Sequence, residues 1–276
     1  PIDGDTIYNG MYDNAMGSSL LVETARAFAA MPEPPRRSII FIALTGEERG
    51  LVGSDYYAHY PTVPGESIVA NVNLDMPLFL YPLADIIAFG SEHSSLEGVI
   101  ADAVAEEGFV LTPDPMPEEV IFIRSDQYSF VKQGVPSVFL VPGHTSSDPG
   151  IDGEGLWRGF LKTYYHQPSD DLSRTIDWPS AVRFARANVR IGYAVAEEDD
   201  RPAWNPGDFF GEKFGRESTL TTYAKWPAVG RLFCEERPEP VVIHGNDSRD
   251  KICHFVTSID TTTGLKPRPA QSLPIP

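Results

Sequence analysis

The amino-acid sequence predicts an α/β protein, a three-layer α/β/α sandwich around a mostly parallel, mixed central sheet. Three observations lead there. Apolar runs of strand length alternate with stretches of helical period through residues 1–200. The run Ser38–Leu44 (SIIFIAL) is almost unbroken in apolar character, the pattern of a strand buried on both faces. Residues 179–196 place Val182, Ala185, Val189, Tyr193 and Ala196 on one helical face, with Arg183, Arg186 and Arg190 off it, as in an amphipathic surface helix.

In chain order, residues 15–30 set Leu21, Ala25, Phe28 and Ala29 at helical spacing before Pro32. The strand Ser38–Leu44 follows. Residues 50–60 read as a second helix, Ile68–Leu74 as a second strand and Asp85–Phe89 as a third. A helix over 95–107 stops at Gly108. Residues 120–123 read as a short strand, 125–133 as a helix ended by Gly134, and 136–141 as another buried strand. Residues 143–155, GHTSSDPGIDGEG, have the Gly, Ser and Pro content of a mobile loop. In sheets of this kind the chemistry gathers at the carboxyl ends of the strands.

Composition narrows the function classes. The 276 residues carry 39 acidic against 22 Lys and Arg side chains, a formal charge of −17. That balance argues against nucleic acid, where cations must replace counterions, and against an anionic membrane surface. No apolar run is long enough to span a bilayer, and two cysteines do not make a disulfide scaffold. The acidity is concentrated in residues 1–200, with 30 acidic and 12 basic side chains; residues 201–276 have nine and ten. The first residues, Pro-Ile-Asp-Gly-Asp, have neither an initiator Met nor a leader pattern and read as the interior of a protein.

Acids stand where the sheet would place its chemistry. Asp13 lies in GDTIYNGMYDNAMG (4–17), directly before the first helix. Glu47 and Glu48 end SIIFIALTGEE (38–48), and Asp75 ends the run in IVANVNLDM (68–76). His166 comes much later, in YYHQPSDDL (164–172). Singly, each has an ordinary explanation: an N-cap or turn residue, a solvated loop pair, a turn acid ahead of Pro77, a packed or surface histidine. Together, carboxylates at successive strand ends and a distant imidazole suit a hard or borderline metal ion, since zinc accepts His nitrogen and carboxylate oxygen alike. Adjacent glutamates can divide the work, one holding metal while the other stays free as a base.

Four segments in order, YNGMYDNAMG, TGEERGLVGS, VNLDM and YYHQPSDDL, resemble the di-zinc exopeptidases, the family of bacterial secreted leucine aminopeptidases, glutamate carboxypeptidase and the transferrin receptor ectodomain. RSDQYSFVKQGVPSVFL (124–140) and RPAWNPGDFF (201–210) are similar to its bacterial branch, and the likeness covers roughly residues 3–215. The resemblance implies a zinc-aminopeptidase-like fold, two zinc ions in the complete protein, a peptide or protein substrate and a secreted or periplasmic setting. It implies that Asp13 bridges the zincs, that Glu48 and His166 complete one site, that Asp75 serves the other, and that Glu47 is the general base. Tyr165 is similar to a tyrosine that steadies the oxyanion; a packed aromatic is the alternative reading. The family's His-x-Asp motif falls before Pro1, so the second zinc keeps only Asp13 and Asp75 here. The implied reaction is hydrolysis of a terminal peptide bond, foremost by an aminopeptidase. An inactive homologue serving as a binding module, and a zinc carboxypeptidase or other amide hydrolase, are the alternatives. A carboxypeptidase needs a cation for the substrate carboxylate, and Arg124 and Arg158 are the nearby ones.

Other residues have softer readings. Ser125 and Asp126 read as the N-cap pair of the helix over 125–133. Gln127 stands where relatives often carry His. Asp170 or Asp171 is either a partner for the second ring nitrogen of His166 or a cap for the next turn. His59, His93 and His144 read as surface or loop histidines. Residues 1–215 are expected to form a catalytic domain lacking its N-terminal part. Residues 216–276, Pro-rich and holding both cysteines, are expected to be a poorly ordered appendage or a sequence artefact such as an out-of-frame read. Cys234, His244, Cys253 and His254 lack the spacing of a zinc site.

Overall fold

A computed structural model describes residues 6–216 together with the strands Val241–Ile243 and Ile252–Ser258. The first strands fall where their apolar runs predict: β1 is Ser38–Leu44, β2 is Ile68–Leu74 and β3 is Asp85–Phe89. Every residue of β2 and β3 is buried, as a central strand covered on both faces requires. With β4 (Val110–Thr112), β5 (Ser137–Pro142), β6 (Val241–Ile243) and β7 (Ile252–Ser258) they form one seven-stranded sheet in the order β4-β3-β5-β2-β7-β1-β6. The pairs β1–β7, β7–β2, β2–β5 and β3–β4 are parallel, while β3–β5 and β1–β6 are antiparallel. The sheet is therefore mixed and mostly parallel.

Helices cover both faces. On one lie α1 (Met16–Ala29), α3 (Leu96–Ala105) and α6 (Trp178–Glu197), packed against the apolar side chains of β2 and β3. Phe28, Val72, Leu74, Ile100, Phe184 and Ile191 meet there in the largest core. On the other lie α2 (Val52–His59) and α4 (Gln127–Val131), with Ile40, Ile42, Ile68 and Phe130 between them and the sheet. The long α6 is opened by Asp177, whose carboxylate accepts the Ser180 amide proton, with Pro179 in its first turn.

Three elements differ from the sequence reading. Residues 120–123 are not a strand: two short 3₁₀ turns, Pro117–Glu119 and Ile121–Ile123, meet at Val120 with φ of 51°. Only Phe122 of that run is buried, against the His93 and Phe210 rings, so the run has no sheet neighbour and no alternating face to bury. The edge position beside β3 is instead taken by β4, too short and exposed to show a period. The loop after Gly143 is shorter than its composition predicts, because α5 (Gly153–Thr163) starts within it. Asp152 caps this helix through the Gly155 amide, and Trp157 and Phe160 are its buried stripe. A last short helix, α7 (Phe209–Phe214), is capped by Asp208 and tethered by a 2.6 Å pairing of Asp208 with His93.

Two stretches of the expected appendage are paired strands. β7 lies between β1 and β2, in register from Ser38↔Ile252 to Leu44↔Ser258 on one side and Ile68↔Ile252 to Asn73↔Val256 on the other. β6 pairs antiparallel with β1 at the edge. The rest of 217–276, including Cys234 and His244, lies outside the described residues.

The turn before α1 joins the strand ends. Asn14 Nδ2 donates to the Leu74 carbonyl at 3.1 Å, while Asn14 Oδ1 accepts the amides of Gly17 and Met76 at 3.1 and 3.3 Å. One side chain thus brackets Asp75 from both sides along the backbone. Gly17 makes this approach possible, because a Cβ there would stand 2.2 Å from Asn14 Oδ1 and 2.5 Å from the Leu74 carbonyl oxygen. Gly17→Ala is expected to lower stability by about 1–3 kcal/mol through overpacking, read as a fall in the thermal midpoint; an unchanged midpoint would show that the turn relaxes freely.

Candidate metal centre and active site

The carboxyl ends of β1 and β2 open toward the turn at Asp13 and the segment at His166. After Leu44 the chain turns through Gly46, at φ of 72°, into a 3₁₀ turn, Glu47–Arg49, which presents both glutamates. Asp75 follows β2 directly and is 6% exposed. Leu51, Met76 and His166 all hold left-handed backbone, at φ of 61°, 43° and 56°. Such conformations cost of order 1–3 kcal/mol in non-glycine residues and gather at functional sites.

Three of the sequence-derived ligands meet. One ligand atom each from Asp13, Glu48 and His166 lies within 4.8 Å of the others. His166 Nε2 stands 2.7 Å from Glu48 Oε1 and 3.2 Å from Asp13 Oδ2, yet it is buried without an aligned hydrogen bond. An imidazole lone pair and two carboxylates pointing at common ground are the donor set zinc takes. Asp75 and Glu47 are part of the same electrostatic cluster: Asp75 is pushed up to about 8 by burial and then by Asp13, and Glu47 to about 9 by burial and then by Asp75, Asp126, Asp13 and Glu48. Burial also raises Asp13, against the pull of His166, whereas contact with His166 lowers Glu48. The Asp13 and Glu48 carboxylates in turn hold the imidazolium up to about 9. Tyr165 stacks on His166, its ring centroid 3.7 Å away, and burial followed by the surrounding acids keeps its phenol protonated.

Several readings of single residues change. The Asp170 carboxylate, 2% exposed, accepts the backbone amides of Tyr12 and Asp13 at 3.0–3.1 Å, so it fixes the Asp13 turn and is not a partner of His166. Asp171 accepts the Ser173 amide, the capping alternative. Ser125 and Asp126 precede α4, but neither side chain caps it. Ser125 instead donates its hydroxyl proton to Asp75 Oδ2 at 2.7 Å, and Asp126 is buried at 1% exposure. Gln127 is fully buried, accepting from Asn73 at 2.8 Å and donating to the Phe122 carbonyl at 2.7 Å; it faces the protein interior and not a substrate. His59, His93 and His144 bond to the Asp55 carbonyl, pair with Asp208 and pack on Trp157 respectively, away from the cluster. Asn14 and Ser125 are residues that sequence reasoning missed as parts of the site, and Asp170 was read there with a different partner. Their positions between motif acids were visible, but their partners lie 50 or more residues away.

Fold and site together define an α/β protein with a cluster of acids and an imidazole at the carboxyl ends of parallel strands. Residues 2–191 match the model of peptidase family M28, and the chain belongs to that family. Among curated relatives it is 28% identical over 199 residues to aminopeptidase YwaD of Bacillus subtilis, covering 68% of this chain and 37% of that protein. It is 37% identical over 76 residues to a probable zinc metalloprotease of Pyrenophora tritici-repentis, covering 28% of this chain and 17% of the relative. Among solved structures, LapA of Legionella superposes with a TM-score of 0.53 at 22% identity, over 71% of this chain and 50% of that one. The chain thus spans half or less of each of these proteins.

A zinc ion held by this cluster would require a neutral imidazole, so its binding would displace the proton that His166 holds below about pH 9. Zinc affinity is expected to rise by at least about tenfold per pH unit from about pH 6 to about pH 8, measured by chelator competition. His166→Asn should bind more weakly and with a shallower slope; a pH-independent affinity in the unsubstituted protein would contradict the assigned ligand set.

Proposed function

We propose that this chain carries the catalytic centre of a zinc-dependent aminopeptidase. The convergence of Asp13, Glu48 and His166, with Glu47 and Asp75 beside them, is the observation that carries the reading. Asp13, Glu48 and His166 would hold one zinc, and Asp13 and Asp75 would offer carboxylates to a second. Zinc bound there supplies Lewis acidity, polarising the scissile carbonyl and lowering the pKa of water.

Glu47 does the proton work in this reading. It accepts a proton from the attacking water and delivers it to the leaving amine. Burial and the neighbouring carboxylates favour its protonated form, about 9 in the metal-free chain, which makes it a competent acid for the second step. Neutralisation of Asp13, Glu48 and Asp75 by bound cations relieves part of that upward push and readies Glu47 for the first step. Tyr165, kept as a phenol, offers an O–H to the developing oxyanion, while its ring holds the His166 imidazole by stacking.

Charge selects the end of the peptide. The cluster of carboxylates suits a free α-ammonium group. The cations that a carboxypeptidase would use are engaged elsewhere: Arg124 pairs with Glu119 at 3.5 Å and Arg158 with Glu154 at 2.8 Å, both on exposed surface. The five intact acid and imidazole positions favour a working enzyme over a binding module.

Glu47→Gln is expected to keep zinc uptake and lose about 10²–10⁴-fold in kcat; near-normal turnover would remove Glu47 from the mechanism. Peptides with a free amino terminus and an amidated carboxyl terminus should be cleaved from the amino end. Acetylation of that terminus should abolish cleavage, whereas processing of acetylated peptides from the carboxyl end would favour the carboxypeptidase reading.

A further inference from the structure

The segment that leads into the Asp13 turn holds a pair with chemistry of its own, Asn9 and Gly10. Among the asparagines of the sequence, only Asn9 is followed by glycine. Asn14, Asn71, Asn73 and Asn188 precede Ala, Val, Leu and Val, whose side chains crowd the next backbone nitrogen, and Asn205 precedes Pro206, which has no N–H. The side-chain carbon of an asparagine can close a five-membered ring with the backbone nitrogen that follows it. A glycine leaves that nitrogen unshielded.

The structure keeps the pair open. Asn9 is exposed. Its Nδ2 donates to the Pro168 carbonyl across a long 3.4 Å, a weak restraint on the amide. The Gly10 N–H donates to no group among the described residues, while the Gly10 carbonyl accepts from Ala15 at 2.9 Å. The turn cannot dispense with this glycine. Gly10 holds left-handed backbone at φ of 59°, and a Cβ there would stand 2.4 Å from the Asp13 carbonyl oxygen. The same turn that presents Asp13 thus sets beside Asn9 the residue that makes it reactive.

Residues 9–13 run alongside 168–170. Asn9 reaches Pro168, the Met11 amide donates to the Asp170 carbonyl at 3.1 Å, and the Tyr12 and Asp13 amides donate to the Asp170 carboxylate. Asn9 is therefore the first tie between the turn that carries Asp13 and the segment that carries His166.

We propose that Asn9–Gly10 is a self-modifying site, at which the Gly10 nitrogen attacks the Asn9 side-chain amide and the product unties the Asp13 turn from the His166 segment. The bond from Gly10 N to Asn9 Cγ forms and the Cγ–Nδ2 bond breaks. The Gly10 amide proton leaves with Nδ2 as ammonia, and a cyclic imide remains. Water then opens one of the two ring C–N bonds. Opening at Cγ leaves aspartate; opening at the backbone carbonyl leaves isoaspartate, with one more carbon in the main chain. Nothing is oxidised or reduced, and water is the only co-reactant. Either product puts a carboxylate where Nδ2 had donated, so that an acceptor faces the Pro168 carbonyl and a further negative charge joins Asp170 and Asp171. Isoaspartate also shifts Gly10 and Met11 along their track beside Asp170. The chemistry needs no metal.

The full chain, held at mildly alkaline pH and sampled over time, is mapped by mass spectrometry of its peptides, with isoaspartyl methyltransferase labelling as a second readout. The expected result is loss of Asn9 and gain of aspartate and isoaspartate at that position, ahead of every other described asparagine. Asn9→Gln keeps the amide but requires a larger ring, and position 9 should stay unmodified over the same interval. Asn9→Asp supplies the charge of the product without the reaction and should lower the thermal midpoint by about 2–4 °C. An Asn9 that converts no faster than the buried Asn71, Asn73 and Asn188 overturns the proposal. An Asn9→Asp chain as stable as the unsubstituted one overturns the untying of the turn.

Discussion

Carboxylates brought together out of water repel one another, and the architecture of this site answers to that. Asp13, Glu47, Glu48 and Asp75 share one partly buried region with Asp126 behind them, and burial first, then the neighbouring acids, push Glu47 and Asp75 toward their protonated forms. Such a cluster holds together only if each backbone is pinned by something other than attraction between the acids. The pins are visible: Asp170 grips the amides of Tyr12 and Asp13, Asn14 grips the peptide units on either side of Asp75, and Ser125 grips Asp75 itself. His166 supplies compensating positive charge.

The pins also explain why the backbone is irregular just where the chemistry is. A regular helix or strand spaces its side chains by its own period, and no period brings Glu47, Asp75 and His166 to one point. Left-handed residues at Leu51, Met76 and His166 break the period at the needed places. The regular sheet behind them provides the rigidity against which those turns are set, with β1 and β2 covered on both faces.

The three strands β1, β2 and β3 were legible to the residue because unbroken apolar runs have few other fates in an acidic chain of this length. The acids of the site were legible because they end those runs or stand before a helix. The roles of Ser125 and Asp170 were not, since the Ser125–Asp126 pair before a helix looks like a cap and Asp170 like a partner for His166 or a cap, whereas their actual partners are set by tertiary approach at sequence separations of 50 and 158. Residues 120–123 failed for a related reason: β-branched and aromatic residues suggest a strand, but a strand also needs a neighbour, and β4 had taken that edge. Helix α5 was hidden by the two glycines of its first turn, although Trp157 and Phe160 carry its period.

β7 gives the molecule an order of assembly as well as an order of strands. β1 and β2, which deliver Glu48 and Asp75, do not touch each other in the sheet; their common neighbour is Ile252–Ser258. At synthesis rates of about 5–20 residues per second, that neighbour emerges roughly 10–40 s after β1. Throughout that interval a nascent chain holds its ligands in sequence but lacks the strand that sets the distance between them. The cluster of acids and imidazole is therefore assembled late, when the final described strand closes the sheet.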